Sequence, residues 1–330
     1  MRINHSNLRS FSLLIIAMLV LSGCRIINLD FLRPNKEPTP PPQQESPVDP
    51  VSSVTPVITP TKFVALETPT LQTGLTETTI MNLEYQSPML QVPVQLVDGR
   101  FNGVVDGVEL NARIEANIQF GDLNADEITD AAWLIAEDTG GTGVFVSLMV
   151  IYSHGDGFKQ ADGIYIDDRP IVNSMAISDG LVTFSGLVHG SNDPMVNPTT
   201  TINIEWTLFD DRLVRTRMSS AFGGGGEHII FIEQPSDGEE VSESFALVGT
   251  MPIGPFENNL SLLISAPLSG QLLHEGFMVQ AEDMGAPATF NNLIQVPEVP
   301  PGTVLLVTLR EISMEDGSPI AIDSVRVIVK

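Results

Sequence analysis

The chain has 330 residues, a single cysteine and a formal net charge of −25 at pH 7, from 41 acidic and 16 basic residues. So acidic a surface repels polyanions, which excludes nucleic acid as a partner and excludes docking to anionic lipid headgroups through a basic patch. One cysteine excludes an intrachain disulfide, and the length leaves room for about two domains.

The first 24 residues have the regions of an export signal in their usual order. Two arginines precede an apolar run at 11–21, which is too short to cross a bilayer because a spanning helix needs about 20 apolar residues. The run ends in the leucine–serine–glycine–cysteine sequence at 21–24, which resembles the lipobox of bacterial lipoproteins. The resemblance implies removal of residues 1–23 and lipidation of Cys24, which would hold the protein at the cell membrane on its extracytoplasmic face. A plain signal peptide with a chance cysteine is the alternative.

Residues 24–76 are rich in proline and threonine. Ten of the 24 prolines lie between Pro34 and Pro69. Proline fixes φ and lacks an amide donor, so this composition predicts a disordered, extended tether between the anchor and the folded part.

The pattern from 77 to 222 predicts an antiparallel β domain. Apolar and polar residues alternate from Val108 to Phe120, which predicts one long strand with a buried and a solvated face. Ala131–Ala136 and Val144–Tyr152 read as buried strands, and turn sequences such as Asp98-Gly99 separate further short runs. A glycine-rich segment at 223–228 follows. It lacks the lysine and the following helix of a phosphate loop and is interpreted as a hinge.

Residues 229–330 have strand-like runs with turns at short intervals, which is typical of a β-sandwich. The Ile-x-x-Pro sequence at 232–235 and the Phe-Glu-Asn-Asn-Leu sequence at 256–260 resemble the immunoglobulin-like domain of bacterial spore-germination lipoproteins. The resemblance implies an accessory or adhesive module without known catalytic residues. The expected fold class is therefore all-β: an antiparallel β domain followed by an immunoglobulin-like sandwich.

An acidic loop follows the long predicted strand. Alternate residues of this loop supply oxygen atoms, which are the donors that calcium loops require. The fourth of these donors is a backbone carbonyl. The candidate ligands are Asp122, Asn124, Asp126, Ile128 through its carbonyl, and Asp130. The loop resembles the calcium loop of integrin-type β-propeller repeats (the FG-GAP and VCBS-like kind), except that Glu127 replaces the glycine of the sharp turn. Calcium is therefore the one candidate cofactor, and an acidic turn without metal is the alternative.

Sequence motifs for catalysis are absent: the five histidines have no metal-ligand spacing and there is no Gly-x-Ser-x-Gly elbow. Trp133 and Trp206 lie in strand patterns, where core packing is favoured over sugar stacking. The sequence predicts a non-catalytic, lipid-anchored binding or scaffold protein of the bacterial cell envelope. Its expected partners are the membrane, through Cys24, and a cell-wall polymer or envelope protein. The alternative is a cell-wall or polysaccharide hydrolase that uses carboxylates no motif identifies.

Overall fold

The computed structural model describes residues 75–115, 118–223 and 225–330, all of which belong to one compact unit, Leu66–Lys330. Cys24 and the predicted export signal lie outside the described residues, as does the predicted tether up to residue 74. Within the described residues the only helical segments are α1 (Glu77–Met81) and a 3-10 turn at Phe256–Asn258. No helix in this part of the chain is long and apolar enough to cross a bilayer. The predicted all-β class is confirmed.

The N-terminal strands lie between residues 84 and 168. They are β1 (Glu84–Gln86), β2 (Pro93–Gln95), β3 (Arg100–Val105), β4 (Val108–Ile114), β5 (Gln119–Gly121), β6 (Asp130–Asp138), β7 (Phe145–His154), β8 (Gly157–Gln160) and β9 (Ile164–Asp168). β1 and β2 form a two-stranded sheet. The other seven form one sheet in the order β3-β4-β6-β7-β8, in which β5 also pairs with β6 and β9 with β7.

The remaining strands run from residue 171 to 329. They are β10 (Ile171–Ser178), β11 (Leu181–Val188), β12 (Thr200–Phe209), β13 (Arg212–Phe222), β14 (Gly226–His228), β15 (Phe231–Gln234), β16 (Glu239–Val241), β17 (Ser244–Met251), β18 (Asn259–Ala266), β19 (Gly270–Met278), β20 (Gln280–Ala281), β21 (Ala288–Gln295), β22 (Val304–Ile312) and β23 (Pro319–Val329). A ten-stranded sheet has the order β10-β11-β12-β13-β23-β22-β18-β19, with β14 beside β13 and β16 beside β23. A four-stranded sheet has the order β15-β17-β21-β20.

β6 and β7 lie in the middle layer of the N-terminal part and are buried on both faces. One face, with Trp133 and Met149, packs against α1 and the β1–β2 hairpin through Ile80 and Tyr85. The opposite face packs against β11, β12 and β13, where the fully buried Trp206 lies. A strand covered on both faces needs apolar side chains at successive positions, and this is why Ala131–Ala136 does not alternate. Its prediction as a buried strand is confirmed, as is core packing for both tryptophans.

The C-terminal sandwich encloses a separate core between the four-stranded sheet and strands β18, β22 and β23. Alternate residues of β18, such as Leu260, Leu262 and Ile264, point into this core. Phe277 and Phe290 meet edge to face inside it with ring centroids 5.4 Å apart. The two layers and the alternating burial are those of an immunoglobulin-like sandwich.

The long strand expected at 108–120 is interrupted. β4 ends at Ile114, opposite Ile135, and β5 begins at Gln119, opposite Ala132. Five residue steps separate these two strand ends, whereas their partners on β6 are three steps apart, so the pairing register shifts between β4 and β5. The prediction of one continuous strand is wrong, because alternation reports which face a residue occupies and not whether pairing is unbroken.

The two modules share the ten-stranded sheet. β13 of the N-terminal module pairs with β23 of the sandwich at Arg217↔Asp323 and Met218↔Ile322. Ile322 packs into the N-terminal core. The sequence of 223–228 predicts a hinge. In the structure, Gly226–His228 instead form strand β14, which pairs with β13. The paired edge of β13 therefore joins the modules.

Candidate metal-binding loop and adjoining cleft

The acidic loop connects β5 to β6, whose ends are held together by the pair Gly121↔Asp130. Gly121 is required there by close packing, because a Cβ atom at this position would lie 2.4 Å from the side chain of Ile177 in β10. The strand pairing fixes both ends of the loop, and the loop side chains must satisfy the amides between them.

Asp122 organises the first half of the loop. Its Oδ1 accepts hydrogen bonds from the amides of Ala125 at 2.8 Å and Asp126 at 3.3 Å, and its Oδ2 accepts from the amide of Glu127 at 2.9 Å. The backbone turns sharply here: Ala125 has φ +61° and Glu127 has φ +66°. Glu127 therefore adopts the left-handed conformation that glycine supplies in the calcium loop that this segment resembles in sequence, at a steric cost that glycine avoids.

Asn124 and Asp126 connect the loop to Ser153 near the end of β7. Asn124 Nδ2 donates to the Ser153 carbonyl at 2.9 Å and is 3.1 Å from Asp126 Oδ2. The Ser153 hydroxyl donates to the same Asp126 oxygen. This hydrogen bond lowers the pKa of Asp126, and the amide of Ile128 acts in the same direction against desolvation. No local sequence signal identified Ser153, since it lies 27 residues beyond Asp126 in sequence and reaches the loop through sheet pairing.

Asp130 is completely buried at the start of β6. Its carboxylate accepts from the amides of Leu123 at 2.7 Å and Ser153 at 2.8 Å. Burial raises the pKa of Asp130, and the neighbouring carboxylates add to this rise, while the two amides oppose it. The carboxyl group thus joins both ends of the loop to β7.

The structure brings four predicted ligands, Asp122, Asn124, Asp126 and Asp130, into one loop. Their side-chain oxygens are hard donors of the type that calcium takes, and each carboxylate has lone pairs beyond those its hydrogen bonds use. Ile128, the fifth predicted ligand, donates its amide to Asp126 at 2.8 Å. Within the described ranges, however, no three histidine, cysteine or acidic residues form a group that could hold a metal ion. The donor chemistry fits calcium, and calcium binding stays a prediction.

A cleft of about 820 Å³ adjoins the loop. The acidic loop and the turn between β10 and β11 line one part of it, and residues of β12, β13, β22 and β23, with Asp237, line the other. Two arginines in its lining pair with carboxylates: Arg217 Nε lies 3.3 Å from Asp323 Oδ1, and Arg326 binds Asp237. β13 and β23 pair at only two positions and both contribute residues to the cleft, which no local pattern could indicate.

The four histidines of the described residues occupy separate environments. Nδ1 of His189 contacts Asp167 Oδ2 at 2.8 Å, and that of His228 contacts Glu311 Oε2 at 3.1 Å. His154 is 3.7 Å from Asp211, and His274 contacts the Ser261 hydroxyl at 2.9 Å. The structure therefore does not bring these histidines together.

Residues 229–318 match a family model described as the immunoglobulin-like domain of bacterial spore germination. No curated protein and no solved structure matches the chain. The match confirms the resemblance for the C-terminal module. It ends just before β23, although β23 completes both this sandwich and the shared sheet.

Proposed function

We propose that the protein is a lipid-anchored, non-catalytic binding or scaffold protein on the extracytoplasmic face of a bacterial cell membrane. The observation that carries the proposal is the match of 229–318 to an immunoglobulin-like domain, whose resemblance implies an accessory or adhesive module. The lipobox-like motif at 21–24 supports attachment through Cys24. The residue would need to carry two or more acyl chains, because a single chain holds a protein at a membrane only reversibly. The partner would be a cell-wall polymer or another envelope protein.

The shared sheet supports a scaffold role. Pairing between β13 and β23, together with Ile322 in the N-terminal core, fixes one module against the other. A fixed pair of modules presents the cleft and the sandwich surface without the entropy loss that two independently moving modules would incur on binding.

A co-sedimentation experiment tests the binding function. The unit Leu66–Lys330 is incubated with insoluble cell-wall polymers, and both the pelleted protein and any released sugar or peptide are measured. We expect saturable pelleting without release. Release that continues over time and is abolished by one carboxylate substitution would instead establish the hydrolase.

Mass spectrometry of the native protein tests the anchor. We expect the mature N-terminus at Cys24 to carry acyl chains, and Cys24→Ala to accumulate as an unprocessed precursor. Cys24→Ser keeps the size of the side chain but lacks the sulfur that would be acylated, so it should accumulate as an unprocessed precursor in the same way. A native mature chain with an unmodified Cys24 would refute the anchor.

Thermal melting tests the proposed calcium stabilisation. We expect millimolar calcium to raise the melting temperature of the wild type, because a ligand that binds only the folded state stabilises it by mass action. Asp122→Ala should remove this gain, whereas Asp156→Ala, in an exposed turn, should retain it. Equal melting temperatures with and without calcium would refute the site while leaving the binding function untouched.

A further inference from the structure

The outer face of the four-stranded sheet is uncharged along its centre. Alternate residues of β17, such as Leu247 and Met251, point into the sandwich core, so the residues between them form the outer face. Strand pairing places the matching residues of β15, β20 and β21 on the same face. Its side chains are Phe231, Gln234, Ser244, Ala246, Val248, Thr250, Gln280, Thr289, Asn291, Leu293 and Gln295. The two central strands, β17 and β21, contain no ionisable residue, although the chain has a net charge of −25.

Acidic side chains occur at the margins of this face. Glu233 lies in the bulge of the edge strand β15, and its Oε1 accepts a hydrogen bond from the Thr250 hydroxyl at 3.3 Å. Glu282 and Asp283 follow β20 in the connection to β21, beyond the paired residues of these strands. A ligand that lies across β17 and β21 therefore meets no charge from the strands beneath it.

Apolar side chains cross the face as a diagonal stripe. Phe231 lies opposite Thr250 and diagonal to Val248, and Leu293 lies opposite Ala246 and also diagonal to Val248. The ends of the stripe are open to solvent, since Phe231 is 44% exposed and Leu293 is 67% exposed. Diagonal neighbours are about 7–8 Å apart, so the stripe is about 15 Å long. Exposed apolar surface with a polar rim is typical of an interaction site.

Amide and hydroxyl groups flank the stripe. Gln234 and Asn291 are the partners of Val248 on its two sides, and both are exposed. Thr289 and Gln295, also exposed, extend this polar border along β21. Amide and hydroxyl side chains both donate and accept hydrogen bonds, as the hydroxyl groups of a sugar do. The C–H faces of sugar rings are apolar and gain free energy when they are buried against apolar side chains.

We propose that this face binds an uncharged glycan chain, which lies along the stripe with a sugar ring against Phe231. The inference rests on the proposed binding function and assigns it a surface and a class of ligand. About a quarter of the residues of an average protein are charged, and a protein partner would lose the hydration of such residues against an uncharged face. The net charge of the chain repels an anionic polymer. An uncharged glycan incurs neither cost.

Isothermal titration calorimetry on the full chain tests the site, with a hexamer of N-acetylglucosamine and a hexamer of glucose as the probes. We expect saturable binding of at least one hexamer, with the same dissociation constant at low and high salt, because no charge pair is screened. Phe231→Ala and Asn291→Ala should weaken this binding by about tenfold or more, since they remove an apolar contact and a hydrogen-bonding amide. Phe256→Ala is the matched control, because Phe256 is 48% exposed in the 3-10 turn outside this face and should be dispensable.

Failure of both hexamers to bind would overturn the proposal, and so would equal weakening by Phe231→Ala and Phe256→Ala. A protein complex that Phe231→Ala abolishes, without binding of either hexamer, would assign the face to a protein and overturn the glycan. Pelleting on wall polymers that Phe231→Ala leaves unchanged would also overturn this site, while the proposed binding function would stand. Binding of a hexamer without pelleting on wall polymers would support the site and exclude those polymers as the partner.

Discussion

Individual backbone positions show where this fold tolerates strain. The acidic loop places Glu127 at φ +66°, a conformation that costs a residue with a Cβ atom roughly 1–2 kcal/mol. The loop retains this shape because Asp122 accepts three of its amides. The loop geometry is therefore held by hydrogen bonds that its amides donate to the Asp122 carboxylate instead of by glycine.

Replacing the strained residue with glycine should stabilise the protein. We expect Glu127→Gly to raise the free energy of unfolding by about 0.5–1 kcal/mol, because relief of the left-handed strain exceeds the added entropy of the unfolded chain. Urea denaturation measures the change. The control is Glu109→Gly in β4, an exposed strand position that should lose stability. A loss of stability at both positions would contradict the strain argument.

Gly249 in β17 is a packing requirement. A Cβ atom there would lie 2.0 Å from the carbonyl oxygen of Phe231 and 2.4 Å from the Phe290 ring. We expect Gly249→Ala to destabilise the protein by about 1–3 kcal/mol or more through overpacking. Gly157→Ala in β8 has nothing within 4 Å of its new Cβ and should change stability by less than about 0.5 kcal/mol. Thermal denaturation compares the two, and equal effects would contradict the packing explanation.

Among the elements, β23 pairs with strands of both modules. It pairs with β22 along almost its whole length, with β16 near its end, and with β13 at the junction. Asp323, buried within it, accepts hydrogen bonds from the Ile232 amide at 2.8 Å and from Arg217 at 3.3 Å. One carboxylate thus ties together β13, β15 and β23.

The junction carboxylate should give stability a recognisable pH dependence. Burial raises the pKa of Asp323, although its hydrogen bonds and Arg217 oppose the rise. A raised pKa in the folded state means that the stabilising contribution is present below the unfolded pKa and is lost as pH rises through the folded value. We expect the free energy of unfolding of the wild type minus that of Asp323→Asn to fall over the pH range above about 4, the ordinary pKa of an aspartate. Urea denaturation across this range measures it, and a difference that grows with pH would contradict the assignment.

The element types could be predicted from the sequence to a large extent, and their partners could not. Uninterrupted apolar residues identified Ala131–Ala136 as a doubly covered strand, and the motif at 256–260 identified the sandwich. The link between Arg217 and Asp323 joins residues 106 positions apart, so no local period contains it. Ser153 was missed for the same reason, since only sheet register brings it to the acidic loop.

For the molecule as a whole, we expect the shared sheet to make the two modules unfold as one cooperative system. Both tryptophans, Trp133 and Trp206, lie in the N-terminal module, so their fluorescence reports on that module alone. A substitution in the sandwich core should nevertheless shift the fluorescence transition, because unfolding of β23 removes the partner of β13 and withdraws Ile322 from the N-terminal core.

Phe290→Leu provides the test. We expect it to destabilise the sandwich by about 1–2 kcal/mol and to lower the fluorescence midpoint as much as the midpoint seen by circular dichroism. The control is Leu293→Ala on the same strand, where the side chain is 67% exposed and both midpoints should stay near the wild type. A fluorescence midpoint unaffected by Phe290→Leu would show that the modules unfold independently.

The position of β23 also sets the order in which the protein can complete its fold. A chain that leaves the ribosome or an export channel emerges from its N-terminus, and β23 follows every other described strand. Until it emerges, β13 keeps part of its edge unpaired and the sandwich lacks a core strand. An unpaired edge is a template for pairing with other chains. Completion of both modules is therefore postponed to a common late step. The unpaired edge of β13 stays open to misassembly for as long as the residues between β13 and β23 take to emerge.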